Sequence, residues 1–323
     1  MNYDIFNGDA DGICALIQLH LSEPNREQHE LVTDIKRNIN LLKLIPDSTQ
    51  DSKLTVLDIS LDKNREELIK FLNQSNQIIY ADHHFAGEIP ESKNLSAYID
   101  TQANTCTSLI IYEQISNQFP LWAITGAYGD NMLKRADELA QSQQVSEHDR
   151  DLLKELGTYL NYNGYGASVD DLHFHPKTLF LNCVKAENPL DIVNDPSSCF
   201  AKLKLAYHED MELAENAEIY YNSDKVSVIY FEDAKWSRRV NGVYGNELAN
   251  REPNKAHASI IPMPDNRINI SVRAPLNYKT GADEICRQFP NGGGRQAAAG
   301  INKLPLSELE NFITVFSRYY QNL

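Results

Sequence analysis

Short apolar runs alternate with longer amphipathic segments through the first half of the chain. The runs YDIF, LTVLDI and QIIYADHH have strand length and are rich in β-branched and aromatic residues, which predicts β-strands. The segments GICALIQLHL, LDKNREELIKFLNQ, TCTSLIIYEQI and PLWAITGAYGDN have helical length and apolar spacing, which predicts helices. Strands that alternate with helices in this order predict an α/β domain with a parallel sheet.

The second half repeats the mixture of strands and helices on a smaller scale. KVSVIYFED, HASIIPMP and NRINISVRAP are strand-like, and ADEICRQF and LSELENFITVFSRYYQNL are helical. Before them lies CFAKLKLAYHEDMELAENAEIYY, which is polar and helix-prone and predicts a connecting helix. We therefore expect a first domain at 1–190, a connecting helical segment at 191–224 and a smaller α/β domain at 225–323.

Polar residues follow each predicted strand of the first domain. They are Asp9 and Asp11 after the first strand, Asp58 after the second, and Asp82, His83 and His84 after the third. Ligands of open parallel sheets bind at the carboxyl ends of the strands, so these side chains should meet at one edge. A lone aspartate there is usually a turn residue or a helix cap, but recurrence at successive strand ends favours a site.

Aspartate and histidine are suitable ligands for Mn²⁺ or Mg²⁺. Asp130, which ends the segment PLWAITGAYGD, adds a further carboxylate to the set. The residues expected to hold one or two divalent ions are Asp9, Asp11, Asp58, His83 and Asp130.

The overall charge limits the partners that the chain can bind. The sequence has 323 residues, 42% of them hydrophobic, and a net charge of −15. Duplex DNA binding depends on contacts between phosphates and cations, so an acidic chain is poorly suited to it. Short nucleotides remain possible, because a few cations or bound metals reverse the field locally.

Neither a membrane nor an oxidising compartment is indicated. No apolar run approaches the roughly 20 residues of a membrane span, and the first residues, MNYDIFNGD, lack the basic region of a secretory signal. The five cysteines are scattered without a CxxC pair, which favours buried thiols over zinc ligands or disulfides. We therefore expect a cytoplasmic location.

The motifs DADG, LDIS, ADHH and GAYGDN resemble, in this order, the four motifs of the DHH phosphoesterases. In the second half, SVRAP followed by NGGGRQAAAG resembles the DHHA1 substrate domain, which carries a Gly-Gly-Gly-His…Ala-Ala-Gly loop. The superfamily includes RecJ-like exonucleases, nano-RNases, cyclic-dinucleotide phosphodiesterases and class II inorganic pyrophosphatases. The resemblance implies a parallel-sheet DHH catalytic domain, a smaller α/β DHHA1-like domain and a cleft between them.

The resemblance also implies roles for individual residues. Asp9 and Asp11 would bind different metal ions, and Asp58 would bridge the two ions. His83 and Asp130 would complete the second metal site. Asp82 would orient its neighbours, and His84 would face the substrate phosphate. In the second domain the substrate would be held by Arg273, Gly292, Gly293, Gly294 and Arg295.

Two positions depart from the family pattern. Asn7 stands where the family usually has a histidine ligand of the first metal, and Arg295 replaces the histidine of the glycine loop. An amide oxygen is a weaker ligand for Mn²⁺ than an imidazole nitrogen. We therefore expect one of two metal sites to be weak, filling only at high Mn²⁺ or with substrate present.

The resemblance implies a metal-dependent phosphodiesterase that uses metal-activated hydroxide. Its substrates would be short single-stranded oligonucleotides, linear dinucleotides or 3′,5′-bisphosphate nucleotides, and not duplex DNA or a membrane. A DHHA1-like domain favours a nucleotide, because the pyrophosphatases of this superfamily carry a different second domain. Two alternatives stay open: a phosphatase of small oligophosphates, and a nucleotide-binding sensor whose metal site has decayed.

Overall fold

The structure is a computed structural model that describes residues 1–23, 26, 28–102 and 104–321. Its internal contacts divide the chain into two units, Met1–Leu205 and Ala206–Leu323. Within the described ranges, no helix combines the length and the apolar character that a membrane crossing requires.

The first unit is built around a parallel sheet. Its strands are β1 (Tyr3–Phe6), β2 (Glu30–Val32), β3 (Lys53–Leu57), β4 (Gln77–Asp82) and β5 (Leu95–Ile99). They lie in the order β2-β1-β3-β4-β5, and each neighbouring pair is parallel. The helices are α1 (Ala10–Ser22), α2 (Arg65–Asn73), α3 (Thr107–Gln114), α4 (Pro120–Gly129), α5 (Leu133–Ser142), α6 (Glu147–Asn163), α7 (Pro176–Cys183) and α8 (Pro189–Asn194).

The central strands are apolar because both of their faces are covered. Ile5 and Phe6 of β1 and Val56 and Leu57 of β3 have no exposed surface, as expected for a parallel sheet between helices. The predicted α/β class is therefore confirmed, and β1, β3 and β4 are the three predicted strands. The edge strands β2 and β5 were not predicted, because they are only partly buried and show a weaker apolar pattern.

Three helices of the first unit approach one another closely through glycines. A Cβ atom added at Gly129 of α4 would lie 2.2 Å from the Ala10 Cβ of α1 and 2.8 Å from the Gly157 carbonyl oxygen of α6. At Gly157, an added Cβ would lie 2.3 Å from the carbonyl oxygen of Thr125. This contact fixes the start of α1 against the end of α4, and both of these helix ends carry predicted site residues.

The second unit contains a mixed sheet. Its strands are β6 (Glu218–Asn222), β7 (Val226–Tyr230), β8 (Ala256–Met263), β9 (Arg267–Arg273), β10 (Gly292–Arg295) and β11 (Ala298–Pro305). The order is β10-β11-β9-β8-β7-β6, with only β7 and β8 parallel in the described part of the chain. The helices of this unit are α10 (Lys235–Arg251), α11 (Ala282–Cys286) and α12 (Leu309–Gln321).

One helix, α9 (Cys199–Glu215), contains the division between the units. The observed division after residue 205 differs from the predicted boundaries, which enclosed a connecting segment at 191–224. The start of α9 packs on α6 of the first unit, where Lys204 Nζ donates to Glu155 Oε2 at 2.7 Å. The end of the predicted segment is not helical, because Glu218–Asn222 pairs with β7 as a strand.

The glycine contact between α1 and α4 generates a stability prediction. Gly129→Ala should lower the free energy of unfolding by about 1–3 kcal/mol, because the added methyl overpacks a close contact. The control is Gly293→Ala, where an added Cβ meets no atom within 4 Å. Denaturant unfolding of both variants checks the prediction, and equal stabilities would show that the helices separate at no cost.

Candidate functional site

The carboxyl ends of three neighbouring strands lie level with one another. Phe6 of β1 pairs with Leu57 of β3, and Leu57 pairs with Ala81 of β4. The residues that follow these positions in the chain are Asn7, Asp58 and Asp82. The predicted polar residues therefore meet at one edge of the sheet.

Asp9 is the N-cap of α1. Its Oδ1 atom accepts hydrogen bonds from the backbone amides of Asp11 and Gly12 at 3.0 and 3.1 Å, which satisfies two amides that have no partner within the helix. Gly12 is required here by a close approach, because a Cβ atom would lie 2.3 Å from the Asn7 carbonyl oxygen. The DADG motif thus turns the chain from strand to helix and leaves Asp9 Oδ2 facing the site.

Asp11 links α1 to the start of α3. Its two carboxylate oxygens accept from the backbone amides of Thr107 and Ser108, both at 2.7 Å. Ser108 Oγ also donates to the Asp11 carbonyl oxygen at 2.8 Å. The carboxylate of Asp11 therefore caps the N-terminus of α3, although Asp11 and α3 are far apart in the sequence.

Asp58 sits at the centre of the group in a left-handed backbone conformation. Its φ of +58° is uncommon for a residue with a side chain, and strained positions of this kind concentrate at functional sites. Thr107 Oγ1 donates to Asp58 Oδ1 at 3.2 Å. Burial and the nearby carboxylates of Asp9 and Asp11 raise the pKa of Asp58 well above its ordinary value.

His83 points into the space between three carboxylates. Its Nε2 atom lies 3.5 Å from Asp58 Oδ1, 3.6 Å from Asp130 Oδ2 and 4.0 Å from Asp11 Oδ2. Burial raises the pKa of Asp130 to about 6, and the charge of Asp11 adds to this shift while Lys36 and His83 oppose it. Carboxylates that are buried together in this way need a compensating cation.

Two sets of side chains have the spacing of a metal site. In each set, one potential ligand atom from every residue lies within 4.8 Å of the others. Oxygen and imidazole ligands of this kind suit Mn²⁺ or Mg²⁺, and the raised pKa values of Asp58 and Asp130 show where positive charge is needed. The sets are Asp11, His83 and Asp130, and Asp58, His83 and His84.

Asp82 is hydrogen-bonded to His84. His84 Nδ1 donates to Asp82 Oδ1 at 2.7 Å, and the two histidine rings lie 4.4 Å apart between centroids. Burial alone would lower the pKa of His84, but the hydrogen bond to Asp82 raises it above its ordinary value. The side chain of His84 is 31% exposed, so its Nε2 edge is accessible to a ligand.

Lys36 is a site residue that sequence reasoning missed. Its Nζ atom lies 2.6 Å from Asp9 Oδ2 and 3.8 Å from Asp130 Oδ1. Burial would raise the pKa of Asp9, but the Lys36 ammonium holds it below its ordinary value. Lys36 follows the edge strand β2, which the sequence did not predict, and no motif includes it.

Two of the predicted substrate residues of the second unit, Arg273 and Arg295, lie in one row across the mixed sheet. Gly292–Arg295 forms the edge strand β10 and not the expected loop, because it pairs antiparallel with β11. Arg295 pairs with Ala298, and Ala298 pairs with Arg273. Side chains of paired residues share one face of a sheet, so the two arginines lie on the same face, two strands apart.

The two arginines of this row differ in their surroundings. Arg273 donates to Asn246 Oδ1 at 2.7 Å and to the Gly242 carbonyl oxygen at 3.2 Å, which ties β9 to α10. Arg295 is exposed. Of the two, Arg295 is therefore the one whose guanidinium projects into solvent.

Comparison with known proteins supports this description of the fold. Residues 4–141 match the model of the DHH family, N-terminal domain, which confirms the resemblance that the four motifs of the first half indicated. A search of curated protein sequences gave no match.

Several solved structures share the fold at low sequence identity. Exonuclease RecJ bound to manganese has a TM-score of 0.60 and 13% identity, over 100% of this chain and 90% of that one. The pGpG-specific phosphodiesterase PggH from Vibrio cholerae has a TM-score of 0.55 and 12% identity, over 99% of each chain. RecJ from Thermus thermophilus in complex with Mn²⁺ has a TM-score of 0.62 and 14% identity, over 100% of this chain but 52% of that one.

Asp58 provides a test of cation binding. Asp58→Asn keeps the side-chain shape and a residue type that tolerates positive φ, but it removes the central charge. A ligand at 100 times its Kd stabilises a protein by about 2.7 kcal/mol. The wild type should show a shift of this order with Mn²⁺ in thermal or chemical unfolding, and Asp58→Asn should lose most of it.

Without metal, the same Asp58→Asn substitution should increase the free energy of unfolding. The pKa of Asp58 is raised in the folded state. The contribution of Asp58 to folding stability is therefore present at low pH, where the side chain is protonated, and is lost as the pH rises through the folded-state pKa. At neutral pH with chelator, Asp58→Asn should therefore be more stable than the wild type. Asp47→Asn, which removes an exposed carboxylate, is the control, and an undiminished Mn²⁺ shift in Asp58→Asn would contradict a metal role.

Proposed function

We propose that this chain, whose residues 4–141 form a DHH-family N-terminal domain, is a divalent-metal-dependent phosphodiesterase of short nucleotides. The observation that carries the proposal is the group of buried carboxylates and two histidines at the ends of β1, β3 and β4. Asp58 and His83 lie at its centre with 3.5 Å between Oδ1 and Nε2. Such a group attracts a divalent cation and then a phosphate.

The residues of the first unit would have different roles at the reacting phosphate. A bound divalent ion supplies Lewis-acid polarisation and an activated water. Asp11, Asp58, His83 and Asp130 would hold that ion. Asp82 accepts the Nδ1–H of His84 and so leaves Nε2 for a phosphate oxygen. Because the pKa of His84 is raised, the ring is well suited to donate a hydrogen bond to an anion.

The second unit offers an arginine surface that suits a substrate phosphate. Arg295 offers an exposed guanidinium on the face of the mixed sheet that also carries Arg273, and guanidinium binds phosphate or carboxylate through paired hydrogen bonds. In the second unit, Arg295 would bind a phosphate of the substrate. Gly293 has open space around it, so a base or sugar can approach the backbone of β10.

The charge of the chain and the similar folds point to a small substrate. The net charge of −15 disfavours long nucleic acid. A pGpG-specific phosphodiesterase and an exonuclease are among the proteins of similar fold, and both names describe phosphodiester cleavage. We infer that linear dinucleotides, short single-stranded oligonucleotides and 3′,5′-bisphosphate nucleotides form the substrate class.

A Mn²⁺-dependent assay on pApA, pAp and pyrophosphate tests the proposal. Release of mononucleotide from pApA, or of phosphate from pAp, is the expected result, and pyrophosphate should remain intact. Asp58→Asn should abolish the reaction. Cleavage of pyrophosphate alone would replace the proposal with a phosphatase of small phosphate compounds. Nucleotide binding without any cleavage would indicate a sensor.

Arg295 should affect substrate binding more than turnover. Arg295→Ala should raise KM about 10- to 150-fold, as expected for the loss of a charge-assisted hydrogen bond worth about 1.5–3 kcal/mol. Arg295→Lys should recover only part of the affinity, because lysine lacks the planar guanidinium. The kinetics of dinucleotide cleavage measure both effects.

A matched control lies on β9, two strands away from Arg295. Arg267 stands at the far end of β9 from Arg273 and is 40% exposed beside Asp265. Arg267→Ala should leave KM unchanged. If Arg295→Ala and Arg267→Ala give the same KM as the wild type, β10 does not contact the substrate.

A further inference from the structure

The ammonium of Lys36 lies among the clustered aspartates of the site and is nearest to Asp9. Lys36 Nζ is 2.6 Å from Asp9 Oδ2 and 3.8 Å from Asp130 Oδ1. The other carboxylate oxygen of Asp130, Oδ2, lies 3.6 Å from His83 Nε2. Asp130 therefore lies between two positions for positive charge, one of which Lys36 fills.

Several contacts hold this lysine in place. Its Nζ atom donates to Asn161 Oδ1 at 2.9 Å and lies 5.5 Å from the centre of the Tyr165 ring. Its backbone amide donates to the Gly164 carbonyl oxygen at 2.9 Å. Only 23% of the side chain is exposed. Side chain and backbone are thus both anchored on the segment at the end of α6, unlike those of a free surface lysine.

The same segment packs directly on Asp9. A Cβ atom added at Gly164 would lie 3.2 Å from both Cα and Cβ of Asp9. Since Gly164 also accepts the amide of Lys36, the lysine and the aspartate are positioned by one piece of backbone. The ion pair between Lys36 and Asp9 is therefore held in place by the backbone at Gly164.

The residues around Asp9 do not fit a divalent ion beside this ammonium. A metal ion bound to Asp9 would need to lie about 2.0–2.6 Å from a carboxylate oxygen, and Nζ already lies 2.6 Å from Oδ2. Lys36 would also repel the ion. Asn7 offers only an amide oxygen, which is buried without a hydrogen-bond partner among the described residues.

We propose that the Lys36 ammonium takes the place of one of two divalent ions, so that the centre binds a single Mn²⁺ per chain. The ion would lie among Asp11, Asp58, His83 and Asp130, and Lys36 would be the second cation of the site. This replaces the expectation from the sequence of a second, weak metal site at Asn7 and Asp9.

A fixed ammonium differs chemically from the ion that it replaces. Its N–H groups can donate to a phosphate oxygen, but it cannot lower the pKa of a bound water as a divalent cation does. Lys36 would therefore help to bind and orient the phosphate, and it would not activate the nucleophile. This role in substrate binding rests on the proposed function, whereas the metal count does not.

The number of bound ions tests the proposal without any substrate. Calorimetry of the wild type with Mn²⁺ should give one ion per chain, and electron paramagnetic resonance should give the six-line spectrum of an isolated Mn²⁺. In Asn7→His/Lys36→Met, a second ion should bind, and exchange coupling between the two ions should broaden and split the spectrum. Lys36→Arg keeps the positive charge and should still bind one ion.

The matched control is Lys154→Met, which removes an exposed lysine from α6 and should bind one ion. Circular dichroism checks that each variant is folded. Two coupled ions in the wild type would overturn the proposal, and so would a folded double variant that still binds one. A single ion in a wild type that cleaves neither pApA nor pAp would support the metal count and contradict the proposed function.

Discussion

The first unit depends on a single electrostatic constraint. Its parallel sheet brings buried carboxylates from three strand ends and one helix end to the same edge, where burial and mutual repulsion disfavour their charged forms. The raised pKa values of Asp58 and Asp130 express this constraint. The arrangement is relieved where hydrogen-bond donors or the Lys36 ammonium lie beside a carboxylate, and elsewhere by protonation or by a cation that the group would attract.

The donors come from different parts of the fold. Asp9 is satisfied by amides of α1 and by Lys36, whereas Asp11 accepts two amides at the start of α3. These two aspartates therefore organise helix starts as well as the site, and the contact at Gly129 keeps α4 at the same place. Asp58 accepts a bond from Thr107 Oγ1, but its carboxylate caps no helix among the described residues.

The sequence predicted the parts of the fold that local patterns encode. The strands β1, β3 and β4 are apolar on both faces, and their polar ends mark the edge where Asp58 and His83 meet. The resemblance placed the glycines of β10 in a loop, and glycine has low strand propensity, but pairing with β11 makes the segment a strand. Lys36 could not be predicted, because its contacts with Asp9 and Asn161 join distant segments outside every motif.

The departure at Asn7 is best understood together with Lys36. Asn7 alone indicates a weakened metal ligand, which would leave Asp9 with an uncompensated charge. With Lys36 Nζ 2.6 Å from Asp9 Oδ2, that charge is already balanced, so a histidine at residue 7 is not needed to recruit an ion. An amide at residue 7 and the ammonium of Lys36 are therefore mutually compatible, because the ammonium supplies at Asp9 the positive charge that a metal ion would otherwise supply.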